Sequence, residues 1–141
     1  MNEVATNLYV GTVEDAGEAQ LLDEHSVSLV VSLTFSSPEQ GFPSSVDVVE
    51  HPMMDGPRCD RDSFESAVSR TLNSLKSGEA VLVHCSRGAS RSPSVAAVSL
   101  ALRSGVDINE ALQQVQDGRE EVDPHEDVVR LAVEVYRDLR N

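Results

Sequence analysis

Residues 80 to 103 constrain this chain more than any other stretch. Ala80-Val81-Leu82-Val83 is a short, β-branched apolar run with the character of a strand. The small and polar segment His84 to Ser92 follows it. From about Arg91 to Arg103 the spacing then predicts a helix that is apolar on most faces (Val95, Ala96, Ala97, Val98, Leu100, Ala101, Leu102) and ends at Gly105. A strand and a helix that are both apolar all round must be buried on both sides, so this unit belongs at the centre of a layered structure.

The flanking sequence supplies the layers. Asn7 to Val10 is a strand candidate closed by Gly11, Val27 to Thr34 is a longer strand suited to burial on both faces, and Val46 to Val49 is a third. Glu14 to His25 carries Ala16, Ala19 and Leu22 on helical spacing, while Ser36 to Ser45 has the composition of a loop. His51 to Asp60, with Pro52, Gly56 and Pro57, excludes regular structure. Asp62-Ser63-Phe64-Glu65 reads as a capping box with Asp62 as the cap, opening a helix whose apolar positions Phe64, Val68, Leu72 and Leu75 run to Gly78. Two more helices are predicted, one opened by Asp107 with Glu110, the other by Asp123 with Pro124 at its first position and Glu126. Their apolar faces are Ala111, Leu112, Val115 and Val128, Ala132, Val135, Leu139. Strands interleaved with helices predict an α/β fold, a mainly parallel central sheet of four to five strands flanked by helices on both faces. With 141 residues and no linker or repeat, residues 1–141 form a single domain.

Composition narrows the partners. Acidic residues outnumber basic ones 24 to 11, giving a net charge of −13, and Lys76 is the only lysine. Such a surface repels nucleic acid and anionic lipid unless a local basic pocket overrides it, so neither is an expected partner. Self-repulsion would weaken the compact state in dilute buffer and fade at high ionic strength, which suggests a halophile's interior as the home. No window is long and apolar enough to span a membrane, and Met1-Asn2-Glu3 lacks the basic start and apolar run of a signal peptide. The expectation is a cytoplasmic monomer. Cys59 and Cys85 are too few for a disulfide framework.

The chemistry concentrates in His84-Cys85-Ser86-Arg87-Gly88-Ala89-Ser90-Arg91-Ser92. A bare Cys-x5-Arg would arise by chance in about 14% of chains of this composition. Requiring Gly three places after the cysteine and His before it lowers that to about two in ten thousand. A free thiol with a pKa of about 8.5 is only about 3% thiolate at pH 7, so a nucleophilic cysteine needs a positive environment. Successive backbone N–H groups, a helix N-terminus and the Arg91 guanidinium would converge on one spot here, and the same features bind a phosphate dianion. Gly88 permits the tight turn, small Ala89 and Ser90 leave room, Arg91 can grip two phosphate oxygens, and Ser92 can hydrogen-bond the Cys85 sulfur. The bland reading is a buried structural thiol beside a surface cation.

A thiolate that displaces an alkoxide or phenoxide needs a proton donor. Asp55, in the Met54-Asp55-Gly56-Pro57 loop, is the candidate, against Asp60, Asp62 and Asp123, for which helix capping or its vicinity is a sufficient role. His84 is read as orienting the loop through backbone groups, with catalytic base as the minor alternative. Cys59 is read as a bystander, with a redox partnership as the alternative. His25, His51 and His125 have no metal-ligand spacing.

His84 to Ser92 resembles the H-C-x-x-G-x-x-R-S signature of the dual-specificity phosphatases, within the cysteine-dependent protein tyrosine phosphatase superfamily. The likeness covers almost the whole chain. Asn7 to Gly11 is similar to the family's opening strand, Val30 to Thr34 to its core strand, His51 to Asp55 with Pro57 to its general-acid loop, Ser92-Pro93 to the start of its central helix, and Gly118 to Pro124 to the approach to its last helix. The resemblance implies a phosphatase with no cofactor and no metal, acting on phosphorylated protein at Tyr and Ser/Thr. In that scheme Cys85 is the nucleophile, Asp55 the acid and then the base, and Arg91 with the amides of Ser86 to Ser90 holds the phosphoryl group. Where many relatives carry Glu-Ala after the cysteine this chain has Ser86-Arg87, an added cation at the rim. The alternatives are a phosphatase of a phosphoinositide, RNA 5′-phosphate or small phosphoester, a sulfurtransferase with a similar cysteine cradle, and a non-catalytic phospho-binding module.

Overall fold

The computed structural model of the chain describes residues 1–140. Five strands form one sheet in the order β1-β2-β5-β3-β4: β1 Asn2–Ala5, β2 Leu8–Gly11, β3 Val27–Ser32, β4 Asp47–Glu50 and β5 Ala80–His84. β2, β5, β3 and β4 run parallel, while β1 pairs antiparallel with β2 through a hairpin in which Asn7 takes a φ of 64°. β5 is central, in register with β2 (Val10 opposite Val83) and β3 (Val31 opposite Val83), and all five of its residues are buried. The helices are α1 Ala19–Glu24, α2 Arg61–Lys76, α3 Arg91–Ser104, α4 Ile108–Gly118 and α5 Glu126–Leu139.

Alternation along the strands divides the core in two. Leu8, Val10, Leu29, Val31, Val81 and Val83 face the large cluster built with α2, α3, α4 and α5. Tyr9, Val27, Val30, Ala80 and Leu82 face a smaller one closed by Ala16, Leu22, Phe42 and Val46. α3 runs through the larger layer with every residue from Ser92 to Ala101 buried, so the unit formed by β5 and α3 is the spine of the molecule.

The structure corrects the sequence reading at several places. β1 is absent from the sequence reading: two of its four residues, Asn2 and Glu3, are polar and exposed, and only Val4 is buried. The single helix expected over Glu14 to His25 is a 3₁₀ turn, Asp15–Gly17, followed by α1, because Glu18 is extended (φ −93°, ψ 93°). Gly17 sits against Pro38 and Gln40, where a Cβ would come within 2.7 Å. The cap of α2 is Asp60, whose carboxylate accepts from the Ser63 N–H at 2.9 Å, and not Asp62, which lies in the first turn. α5 is capped by His125, whose Nδ1 accepts from the Asp127 N–H, so Asp123 and Pro124 precede the helix instead of opening it. Between Met54 and Asp60 a 3₁₀ turn, Gly56–Arg58, interrupts the otherwise irregular segment.

Candidate active site

Parallel strands β2, β5, β3 and β4 end on the same side of the sheet, and the loops leaving them meet there. The β5–α3 loop occupies the centre. Its conformation follows from where its carbonyls go. The Cys85 carbonyl lies 3.2 Å from His84 Nδ1, and Ser86 O accepts from Val13 N–H at 3.3 Å. Arg87 O and Gly88 O both accept from Arg119, through Nη2 and Nε, each at 2.9 Å. Ala89 O accepts from Asp123 N–H at 2.8 Å, and Ser90 O accepts from the Ser94 N–H and hydroxyl at 3.2 and 2.8 Å. Six consecutive carbonyls are thus drawn outward. In a trans peptide the N–H points opposite the C=O, so the amides of Ser86 through Arg91 turn toward the other side, where they line a concave nest at the start of α3.

Gly88 makes that winding possible. It has a φ of 65°, and a Cβ there would meet the Gly11 carbonyl oxygen at 2.7 Å and the Arg119 guanidinium at 2.8 Å. Arg119, 5% exposed, also donates to Asn2 Oδ1 at 2.8 Å and pairs with Glu121 at 3.2 Å, which ties the loop to the β1 edge. Sequence reasoning missed this residue, since its partners lie far away along the chain and only its charge on an approach loop hinted at a role.

Cys85 lies at the floor of the nest, 2% exposed, lining a cavity of about 60 Å³ with Asp55, Ser86, Arg87, Ala89, Ser90 and Arg91. Its Sγ is 3.1 Å from Ser92 Oγ and accepts from the Ser92 N–H at 3.5 Å. Burial alone would push the thiol pKa up. The Ser92 hydroxyl and amide, the Arg91 charge and the Gly88 amide outweigh that and hold it below the ordinary value. His84, fully buried, is held below its ordinary pKa, chiefly by burial, so it is neutral; with Nδ1–H facing a carbonyl, its bare Nε2 has no partner among the described residues. Cys59 contrasts with Cys85: burial and the nearby Asp55 push its pKa up to about 11, which leaves it a poor nucleophile.

Asp55 reaches the same cavity from the loop after β4. That loop extends the sheet edge through His51 N–H to Ser32 O (2.9 Å) and Met53 N–H to Leu33 O (3.1 Å), and Met53 is buried. Arg91 spans the gap between the two loops, donating to Met53 O at 3.0 Å and to Ser86 Oγ at 3.2 Å. Ser90 Oγ donates to Asp55 Oδ1 at 2.6 Å. Asp60, Asp62 and Asp123 do not line this cavity. Arg87 is exposed at the rim, and it also borders a second cavity with Glu121 and Asp123. A larger cavity, about 750 Å³, is an open groove between β4 and α2 that contains neither cysteine. Among the described residues no three His, Cys, Asp or Glu side chains gather as a metal site would require, and no helix is long and apolar enough to cross a membrane.

The family model for the dual specificity phosphatase catalytic domain matches residues 8–138. The chain belongs to the dual specificity phosphatase family. It is accordingly a phosphatase. It is 28% identical over 123 residues to human Dual specificity phosphatase 28, covering 86% of this chain and 69% of that protein. It is 26% identical over 124 residues to Xenopus laevis Dual specificity protein phosphatase 1-A, where the match covers 87% of this chain but 33% of the relative. The crystal structure of human DUSP28 superposes with a TM-score of 0.89 at 25% identity, over 99% of this chain and 98% of that one. The single-domain α/β fold with a mostly parallel five-stranded sheet is therefore the fold of that family.

Proposed function

We propose that this phosphatase hydrolyses phosphate monoesters on protein tyrosine and serine or threonine through a cysteinyl-phosphate on Cys85. The Cys85 thiolate attacks phosphorus, the bond from phosphorus to the leaving oxygen breaks, and Asp55 gives that oxygen its proton. Water then attacks the cysteinyl-phosphate and yields its proton to the Asp55 carboxylate. The S–P bond breaks, and Ser92 stabilises the departing thiolate by hydrogen bonding. Arg91 and the loop amides offset the charge that builds on the equatorial oxygens in both steps. The observation that carries this reading is the shared cavity: a sulfur held below its ordinary pKa, a guanidinium and a carboxylic acid from a separate loop line one small space. Hydrolysis of 4-nitrophenyl phosphate that persists in excess EDTA and is lost in Cys85→Ser is the expected result. Activity that survives that substitution would overturn the proposal.

The protein substrate rests on the small size of the cavity, about 60 Å³, and on a loop without lysine, both of which offer little to a polyanionic inositol headgroup. Phosphotyrosyl and phosphoseryl peptides assayed beside phosphoinositide and 5′-phosphorylated RNA test this choice, with faster turnover of the peptides expected. Faster turnover of either non-peptide substrate would replace it. Cys85→Ser used as a trap in an extract of the source cell then identifies the substrate.

A further inference from the structure

Ser90 stands where three segments meet, and neither the phosphate nest nor the capping pattern accounts for its hydroxyl. The residue is 7% exposed and precedes α3. Its Oγ accepts the His125 backbone N–H at 2.9 Å and donates to Asp55 Oδ1 at 2.6 Å. The first bond fixes the direction of the second: with an N–H from the start of α5 directed at its lone pairs, the hydroxyl turns its single hydrogen toward the carboxyl. Asp55 itself is exposed, on a loop tip whose own backbone does not dictate where the carboxyl points.

We propose that Ser90 is a positioning residue for general-acid catalysis, a role that rests on the reading of Asp55 as the acid. By donating to Oδ1, Ser90 reserves that oxygen as an acceptor. The labile proton of Asp55 then resides on Oδ2, the oxygen free to face the leaving group. When Asp55 has lost its proton, the same bond holds the carboxylate in place, ready to receive the proton of water. The His125 amide makes α5 the anchor of this arrangement, so the acid loop is aligned against the nest through one hydroxyl. The loop residue before Arg91 thus does more than leave room for phosphate.

Leaving-group dependence separates this role from simple structural support. A misdirected acid harms phenyl phosphate, whose leaving oxygen is strongly basic, more than 4-nitrophenyl phosphate, whose leaving group departs with little help. Ser90→Ala is expected to lower kcat/KM about 10-fold on phenyl phosphate and less than about 3-fold on 4-nitrophenyl phosphate. Inhibition by inorganic phosphate, which reads the nest, should stay unchanged. Ser90→Thr, which keeps the hydroxyl, should restore the phenyl phosphate rate. In an Asp55→Asn background Ser90→Ala should add nothing. Ser90→Cys, a weak donor of similar size, serves if the alanine variant does not fold. Equal losses on both substrates, or additive losses with Asp55→Asn, would overturn the role of Ser90. If Asp55→Asn itself leaves the ratio of the two substrates unchanged, Asp55 is not the acid and both readings fall. If Asp55→Asn changes that ratio and Ser90→Ala does not, the positioning role alone falls.

Discussion

The β5–α3 loop and the loop carrying Asp55 face one another across a cavity of about 60 Å³, yet they are held in opposite ways. In the first, every carbonyl from Cys85 to Ser90 is bound from behind, by His84, Val13, Arg119, Asp123 and Ser94. In the second, the backbone is anchored at His51 and Met53, while Met54 and Asp55 are exposed and the carboxyl meets the nest through Ser90. A group of dipoles that must stabilise charge is most effective when it is already aimed before the charge develops, which favours many outside ties. A group that must gain and lose a proton needs access to substrate and water, which favours exposure. Rigidity behind phosphorus and freedom around the proton are therefore built by different segments.

Gly88→Ala gives the hardest test of the rigid half. Its Cβ would fall 2.7 Å from the Gly11 carbonyl and beside the Arg119 guanidinium, and the residue would keep a positive φ. Relief requires the loop to unwind, which turns carbonyls back toward the nest. A loss of about 100-fold or more in kcat/KM on every substrate is expected, together with weaker inhibition by inorganic phosphate. Near-normal rates with the variant folded would show that the outward carbonyls do not set the activity. The two cysteines test the same contrast more gently. Cys85 is held below the ordinary thiol value and Cys59 is raised to about 11, so near neutral pH the first carries more thiolate than a free thiol would and the second almost none. Iodoacetate should label Cys85 at least about 10-fold faster than Cys59, with phosphate protecting, as read by peptide mass mapping. As pH rises toward 11 the selectivity should fade. Equal labelling at pH 6.5 would break the claim that the nest activates its sulfur.

The same contrast decides what the sequence could reveal. β2, β3, β5 and α2 to α5 were legible because each carries its apolar residues with a clear period or run, and the Cys85 to Ser92 spacing was legible because its parts are contiguous. β1 was not, since an edge strand with one buried residue, Val4, has no such pattern. The break at Glu18 lies beside Gly17, which packs closely on Pro38 and Gln40, and helical spacing does not encode such tertiary contacts. Asp60 and Asp62 both fit a cap by type, and only the bond to Ser63 N–H tells them apart. Arg119 was the largest omission: its partners Gly88, Arg87 and Asn2 are 31, 32 and 117 residues away, and no local pattern encodes such contacts.

Charge extends the comparison to the whole molecule, where the expected effect is smallest. Arg87, Arg91 and Arg119 gather around the nest, while the chain as a whole carries −13. Screening acts unequally on these two fields. The Debye length falls from about 10 Å at 0.1 M salt to about 3 Å at 1 M, which removes repulsion between spread surface carboxylates but reaches partly buried groups much less. The folded state, which concentrates the negative charge, gains from screening more than the unfolded chain does. The unfolding midpoint should therefore rise by on the order of 5 °C between dilute buffer and 1 M KCl. Inhibition by inorganic phosphate, governed by buried amides and the arginines beside them, should change less than about 3-fold over the same range. A midpoint indifferent to salt would remove self-repulsion as a force in this fold, and with it the reason to suggest a saline interior. Inhibition that collapsed with salt while the midpoint rose would show instead that the nest depends on its exposed rim, Arg87 above all, more than on its tethered backbone.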